Sequence, residues 1–172
     1  MNNLQLNITI KENQWQQQLP KIEAVAETVL NTTLNYVQNN EEIDFLSFNK
    51  PICINLALSN DKEVHQLNAT FRHIDKPTNV LSFANIDNEN FEEDIKLFNE
   101  IELGDIIIAL ETMQREAAEK NISLQNHFCH LFTHGILHLL GFDHIEDDEA
   151  EYMEDFEVNI LKAMNIANPY QE

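Results

Sequence analysis

Three histidines in the C-terminal half of the chain constrain its folding more than any other feature. His134 and His138 are four positions apart, so on a helix both imidazoles project from one face, one turn apart. Gly141 follows where a left-handed residue can end the helix, and the chain can then turn and bring His144 back to the same point. Three imidazoles that meet in this way can bind one metal ion and leave a fourth coordination position open, as in catalytic zinc sites.

The chemistry of the three side chains indicates which ion to expect. Imidazole nitrogens suit Zn, Ni, Co or Fe better than Mg or Ca, which prefer oxygen ligands. We therefore expect one Zn²⁺ per chain, with Ni²⁺ or another transition metal as the alternative. The spacing also fits the metzincin peptidases, but there a glutamate follows the first histidine and serves as general base. Gly135 holds that position here, so a zinc peptidase is the less favoured interpretation.

Two further histidines and one aspartate lie close to this motif. His127 is about 10 Å along the helix axis from His134, too far to share an ion, and is expected in packing or at the surface. His130 is at best a packing residue or a support for a metal-bound imidazole. Asp143 can orient an imidazole, accept a proton as the general base, or cap the turn after Gly141, and the sequence does not decide between these roles.

Length and composition set the outer limits. With 172 residues, the chain predicts a single domain over residues 1–172 with a sizeable core. Hydrophobic residues make up 43%, which indicates a globular protein, and no apolar run approaches the roughly 20 residues of a membrane helix. The first residues lack the pattern of an export signal, so we expect a cytoplasmic protein that does not bind a membrane. Cys53 and Cys129 are interpreted as buried free thiols.

Hydrophobic periodicity predicts about four strands and five helices, hence an α/β or α+β fold. Residues 86–102, rich in acidic side chains, are expected to form an exposed excursion between the last two strands. The predicted strands are 4–10, 52–58, 80–83 and 103–110, and the predicted helices begin near Pro20, Ser59 or Asn60, Glu111, Ser123 and Asp147.

Several segments together resemble one protein family. The segment from His134 to His144 is similar to the signature of the YbeY family, metal-dependent endoribonucleases of bacterial rRNA maturation, with Phe142 in place of Tyr. Asn79 replaces Asp in a second block, Pro77–Phe83, which resembles the family's Pro-Thr-Asp-Val-Leu-Ser-Phe. Other similar segments are Phe71-Arg72, where the family has Tyr-Arg, Leu103-Gly104-Asp105-Ile106, and the terminal Asn168-Pro169-Tyr170.

The resemblance implies an α+β fold with a mixed four-stranded sheet, packed with helices around the metal site. It implies that His134, His138 and His144 bind the metal and that Arg72 is functionally important. The implied activity is cleavage of single-stranded RNA in small-subunit rRNA processing and ribosome quality control. Besides the endoribonuclease and the zinc peptidase, a third possible function is that of a non-catalytic ribosome-assembly factor with a structural metal. The open coordination position argues against this third function, because structural zinc sites usually have four protein ligands.

Charge bears on both the substrate and the partners. Ten Lys and Arg against thirty Asp and Glu give a net charge of −20, which opposes binding to RNA phosphates unless the few cations line one groove. Alternatively, a small-subunit ribosomal protein or assembly factor presents the RNA, and an acidic exterior suits a basic partner of that kind. Arg72 is either a surface ion-pair residue or a fixed bidentate contact to phosphate, and the resemblance favours the second role.

Overall fold

The computed structural model describes residues 3–171, which form one four-stranded sheet and seven α-helices. The strands are β1 (Leu4–Ile10), β2 (Ile52–Ser59), β3 (Val80–Ala84) and β4 (Ile101–Ala109). The helices are α1 (Gln14–Gln18), α2 (Ile22–Asn40), α3 (Asp61–Arg72), α4 (Phe91–Leu97), α5 (Leu110–Lys120), α6 (Leu124–Leu139) and α7 (Asp147–Ala163).

The sheet is mixed, in the order β1-β2-β4-β3. β1, β2 and β4 run parallel, and β3 pairs antiparallel with β4 at one edge. Parallel neighbours need long crossover connections, which the helices between the strands supply. The mixed four-stranded sheet and the α+β class implied by the family resemblance are therefore confirmed.

A bulge in β4 lets this strand keep its apolar side chains on one face. Leu103 has no partner in β2, and Gly104 beside it has φ +138°. A Cβ added at Gly104 would lie 2.1 Å from the Phe83 carbonyl oxygen, so only glycine fits there. The extra residue reverses the usual alternation of side chains. As a result, four aliphatic residues of the strand are all fully buried: Ile101, Leu103, Ile106 and Ile108.

Helix α6 is the central helix, packed between α2, α5 and α7 and against β3 and β4. Its first turn is capped by the Ser123 hydroxyl, which accepts the Asn126 backbone N–H at 3.1 Å. Apolar side chains such as Phe128, Phe132 and Ile136 are fully buried along its length. This packing fixes the end of the helix that carries the histidines.

Two short helices were not predicted from the periodicity. Helix α1 forms around Trp15, whose fully buried indole donates from Nε1 to the Ser59 carbonyl oxygen at 2.9 Å. Helix α4 lies inside the expected exposed excursion 86–102 and buries Phe91 and Ile95 on the core. The prediction of full exposure there was wrong, because two apolar residues four apart suffice to dock one helical turn.

Candidate metal centre

The predicted end of α6 at Gly141 is confirmed by its hydrogen bonds. Gly141 has φ +100°, its N–H donates to the His138 carbonyl oxygen at 3.0 Å, and the Phe142 N–H donates to the Leu137 carbonyl oxygen at 3.0 Å. These two bonds form a Schellman motif, which turns the chain back across the helix end. The turn carries His144 to the same side as the two helical histidines.

The three histidines meet at one point. Nε2 of His134 lies 3.0 Å from Nε2 of His138. The His144 ring centroid lies 5.4 Å from that of His134 and 4.8 Å from that of His138. One nitrogen from each of the three side chains falls within 4.8 Å of the other two, so this group can hold a metal ion.

The hydrogen bonds of the other ring nitrogens show that the site fits a cation. Nδ1 of His138 lies 2.9 Å from the Phe142 carbonyl oxygen, and Nδ1 of His134 lies 3.2 Å from Glu157 Oε1. Both partners only accept, so both Nδ1 atoms carry a proton, and in the neutral form of each ring the lone pair is on Nε2. Two lone pairs facing each other at 3.0 Å repel unless a cation lies between them. Two nitrogens of a tetrahedral zinc site are about 3.4 Å apart, close to this separation.

The protonation states agree with this geometry. Burial, together with the neighbouring His134 and His144, lowers the pKa of His138 to about 4, so the ring is neutral at pH 7. Burial alone would raise the pKa of Glu157, but hydrogen bonds from His130 and His134 outweigh it and lower the pKa to about 2. Glu157 is therefore a carboxylate at neutral pH, although its side chain is only 1% exposed.

Gly135 explains why the peptidase base is missing. A Cβ added at this residue would lie 3.0 Å from Ile106 Cγ2 and 3.2 Å from Ser82 Oγ. This side of α6 therefore packs directly on the sheet and leaves no room for a glutamate. The metzincin alternative fails at the position where its base is required.

Arg72 lies in the last turn of α3. Nη2 of Arg72 donates to the Ser82 carbonyl oxygen at 2.8 Å, and the guanidinium lies 5.2 Å from the Phe83 ring centroid. Within residues 3–171, no carboxylate lies within salt-bridge distance of Arg72, which argues against the surface ion-pair alternative.

A cleft of about 620 Å³ brings Arg72 together with the three histidines. Its wall contains a second cation, Lys76, and the Pro77–Phe83 block supplies much of the rest. Phe142 and Asp143 of the turn also face it. The residues singled out from the sequence therefore share one cavity, and two of the ten cationic side chains line it.

The two substituted positions and Asp143 have defined contacts. Asn79 Nδ2 donates to Glu116 Oε1 at 2.9 Å, a contact in which an aspartate would place two carboxylates together. Phe142 serves the site through its backbone carbonyl, so the missing hydroxyl leaves that hydrogen bond unchanged. Asp143 Oδ1 accepts the His144 backbone N–H at 2.7 Å, which supports its capping role.

The upstream histidines are both buried. His127 Nε2 pairs with Glu116 Oε1 at 2.9 Å, so His127 is a packing residue and the surface alternative is wrong. His130 Nε2 lies 2.8 Å from Glu157 Oε1, the same oxygen that accepts from His134. His130 is therefore buried, and it is linked to His134 only through Glu157.

Sequence reasoning missed Glu157, the carboxylate that joins His130 and His134. A signal was present, because Glu157 falls on the apolar stripe of α7, between Met153 and Ile160. A carboxylate on a buried stripe needs hydrogen-bonding partners, so its position pointed to a polar cluster in the core.

The fold and the cluster of three imidazoles define an α+β protein with a candidate metal site in an open cleft. A family model described as Endoribonuclease YbeY matches residues 7–165 of the chain. The chain belongs to the YbeY endoribonuclease family, which confirms the family and the enzyme class expected from the motifs.

Individual relatives agree with this assignment. Endoribonuclease YbeY from Acinetobacter baumannii ATCC 17978 is 38% identical over 170 residues, which cover 98% of this chain and 100% of that protein. Endoribonuclease YbeY from Francisella philomiragia is 47% identical over 119 residues, covering 69% of this chain and 73% of that protein. The Zymomonas mobilis protein of the same name is 49% identical over 120 residues, 69% of this chain and 68% of that protein.

A solved structure shows the same fold. The solution structure of TM1509 from Thermotoga maritima matches with a TM-score of 0.52 and 22% sequence identity. The match covers 97% of this chain and 96% of that one.

None of the helices within residues 3–171 combines the length and apolar character that a membrane span requires.

Proposed function

We propose that this protein is a zinc-dependent endoribonuclease that cleaves single-stranded RNA during small-subunit rRNA maturation and ribosome quality control. The proposal assigns His134, His138 and His144 as the metal ligands and Arg72 as a catalytic residue. It treats residues 1–172 as one catalytic domain acting in the cytoplasm, where rRNA matures. The observation that carries it is the convergence of three imidazole nitrogens within 4.8 Å in an open cleft.

The protein's own residues account for binding and charge stabilisation. His134, His138 and His144 would hold the zinc ion, which would supply Lewis acidity for phosphodiester hydrolysis. His134 and His138 direct their Nε2 lone pairs into the cleft because their Nδ1 protons are engaged elsewhere. The guanidinium of Arg72 offers N–H donors to the non-bridging phosphate oxygens, where negative charge grows as the phosphodiester is attacked.

The cleft and the aromatic ring beside it suit a single strand. Arg72 and Lys76 place two cations in the cleft for phosphate contacts, alongside the carboxylates of Asp87 and Asp143. Phe71, next to Arg72 in α3, lies outside the cleft in a neighbouring groove, is 59% exposed and contacts the Phe83 ring edge-on at 5.6 Å between centroids. An exposed aromatic ring next to a phosphate-binding arginine can stack on an unpaired base, which a duplex does not present.

The test of the proposed function compares substrates on one preparation. The zinc-loaded protein is incubated with a fluorescent single-stranded RNA, the same RNA in a duplex, and unfolded casein, each with and without a chelator. We expect chelator-sensitive cleavage of the single strand, slow cleavage of the duplex and no cleavage of casein. Chelator-sensitive proteolysis without RNA cleavage would restore the peptidase alternative.

The proposed ribosomal partner follows from the charge. An acidic exterior favours a basic protein over free RNA, so we expect weak binding to isolated RNA and strong, salt-sensitive binding to a small-subunit ribosomal protein. The measurement is titration of the chain with each at two salt concentrations. Tight binding of RNA alone at physiological salt would remove the need for a partner.

A further inference from the structure

Glu157 is a buried carboxylate that contacts three separate groups. Its Oε1 accepts from His130 Nε2 at 2.8 Å and from His134 Nδ1 at 3.2 Å. Its Oε2 accepts from the Tyr170 hydroxyl at 3.0 Å. Since each oxygen has its own partners, the carboxylate cannot rotate without losing one of them.

The chain after α7 is folded so that Tyr170 reaches this carboxylate. Asn165 adopts φ +61°, and the Ile166 N–H donates to the Leu161 carbonyl oxygen at 2.9 Å, which reverses the chain direction. The Tyr170 ring then packs edge-on against the His130 ring, with 5.5 Å between centroids. The last described residues therefore lie against the same polar cluster as a metal-site histidine.

We infer that Glu157, held in place by Tyr170, is a positioning residue for His134. By accepting a hydrogen bond from Nδ1–H, Glu157 keeps the Nε2 lone pair of His134 directed toward His138, and it makes that nitrogen a stronger metal donor. The C-terminal segment that carries Tyr170 thereby influences the metal affinity of the site, although the three proposed ligands all lie elsewhere in the chain. This inference rests on the proposed metal site.

The experiment measures the metal rather than the activity alone. Glu157→Gln is compared with Glu116→Gln, because Glu116 pairs with a histidine of the same helix outside the metal site. Tyr170→Phe is compared with Tyr152→Phe, whose hydroxyl hydrogen-bonds to Glu41. The zinc dissociation constant is measured by chelator competition, and the tautomer of His134 is read by ¹⁵N NMR in the metal-free protein.

We expect Glu157→Gln to weaken zinc binding by about 10- to 100-fold and Tyr170→Phe to weaken it less, with both controls near wild type. In metal-free Glu157→Gln, His134 should lose its preference for the Nδ1–H tautomer. Wild-type zinc affinity and an unchanged tautomer in a folded Glu157→Gln protein would overturn the inference. If Glu157→Gln does not fold, Tyr170→Phe decides, because it keeps the carboxylate.

The failure of the proposed function gives a different result. A wild-type protein that binds zinc but leaves RNA intact would refute the ribonuclease proposal while the affinity comparison stands. A wild-type protein without zinc affinity would refute both the metal site and the positioning role.

Discussion

The two ends of α6 each pair a histidine with a glutamate, and the pairs are built in opposite ways. Near the start of the helix, the His127 side chain is 1% exposed and its partner Glu116 is 30% exposed. Near the end, the His134 side chain is 23% exposed and its partner Glu157 is 1% exposed. One pair buries the imidazole, whereas the other buries the carboxylate and leaves the imidazole at the cleft.

The ring nitrogen that each glutamate occupies explains the difference in chemistry. Glu116 hydrogen-bonds to Nε2 of His127, and Nδ1 of the same ring is buried without a hydrogen-bond partner among the described residues. Glu157 hydrogen-bonds to Nδ1 of His134, and Nε2 of the same ring faces His138 in the cleft. The same pair of residue types therefore gives a packing contact at one end and a potential metal ligand at the other.

The largest effect on metal binding and RNA cleavage is expected from removing one of the three histidines at the C-terminal end of α6. His138→Ala should lose bound zinc and reduce RNA cleavage to the level seen with chelator, because two remaining imidazoles bind a transition metal weakly. Metal analysis after dialysis and the single-stranded RNA assay measure both quantities, and His134→Ala and His144→Ala should behave alike. Full zinc retention in all three variants would end the assignment of the ligands.

Substitution of Arg72 is expected to have a smaller effect on RNA cleavage. Arg72 lines the cleft, but among residues 3–171 it makes no hydrogen bond to the three histidines. Arg72→Ala should keep zinc and melting temperature but lose about a hundredfold in cleavage rate, corresponding to roughly 3 kcal/mol of transition-state stabilisation. Arg72→Lys should recover part of the rate, because the charge returns without the planar fork. Near-normal cleavage by Arg72→Ala would remove this residue from the mechanism.

Phe71 tests whether the cleft continues into a site for unpaired bases. Phe71→Ala should raise KM by about tenfold with kcat nearly unchanged, since stacking on one base contributes about 1–3 kcal/mol. Phe98→Ala is the matched control, because Phe98 is 55% exposed and lines a separate cavity with Phe91 and Ile95, away from Arg72. Equal KM values for the two variants would show that the exposure of Phe71 has no role in substrate binding.

The sequence predicted the cleft residues well because their signals are local. A spacing of four and a glycine three residues later report helix geometry directly, so His134, His138 and Gly141 could be placed without any knowledge of the fold. The strands followed from alternation and β-branched runs in the same way. Arg72 came from the family resemblance, and its neighbours in the cleft became visible only in three dimensions.

Which residues pair with the histidines could not be predicted from local spacing, because the contacts join different helices. Glu157 of α7 lies 23 residues beyond His134, and Glu116 of α5 lies 11 residues before His127. Helix α4 was missed because it spans only seven residues, too few to show a periodic pattern. The sequence signal weakens wherever packing, rather than local geometry, determines the position of a side chain.

The smallest effect on activity is expected at the start of α6. His127→Ala should keep zinc and stay within about twofold of wild-type cleavage. It should lose about 2–3 kcal/mol of stability, or about 5–10 °C in melting temperature, because Glu116 loses a partner and a cavity opens. Loss of zinc in this variant would mean that the two ends of the helix do not act separately.

The pH dependence of this stability loss gives a further check of its cause. Burial alone would raise the pKa of Glu116, but hydrogen bonds from His127 and Asn79 outweigh it and lower the pKa below its usual value. A carboxyl group whose pKa is lower in the folded state stabilises the protein above its unfolded pKa of about 4.3 and loses that contribution as the pH falls through the folded value. The difference in melting temperature between wild type and His127→Ala should therefore be full at pH 7 and shrink below about pH 4. A difference that stays constant between pH 7 and pH 3 would assign the loss to the cavity alone, because filling a cavity involves no proton.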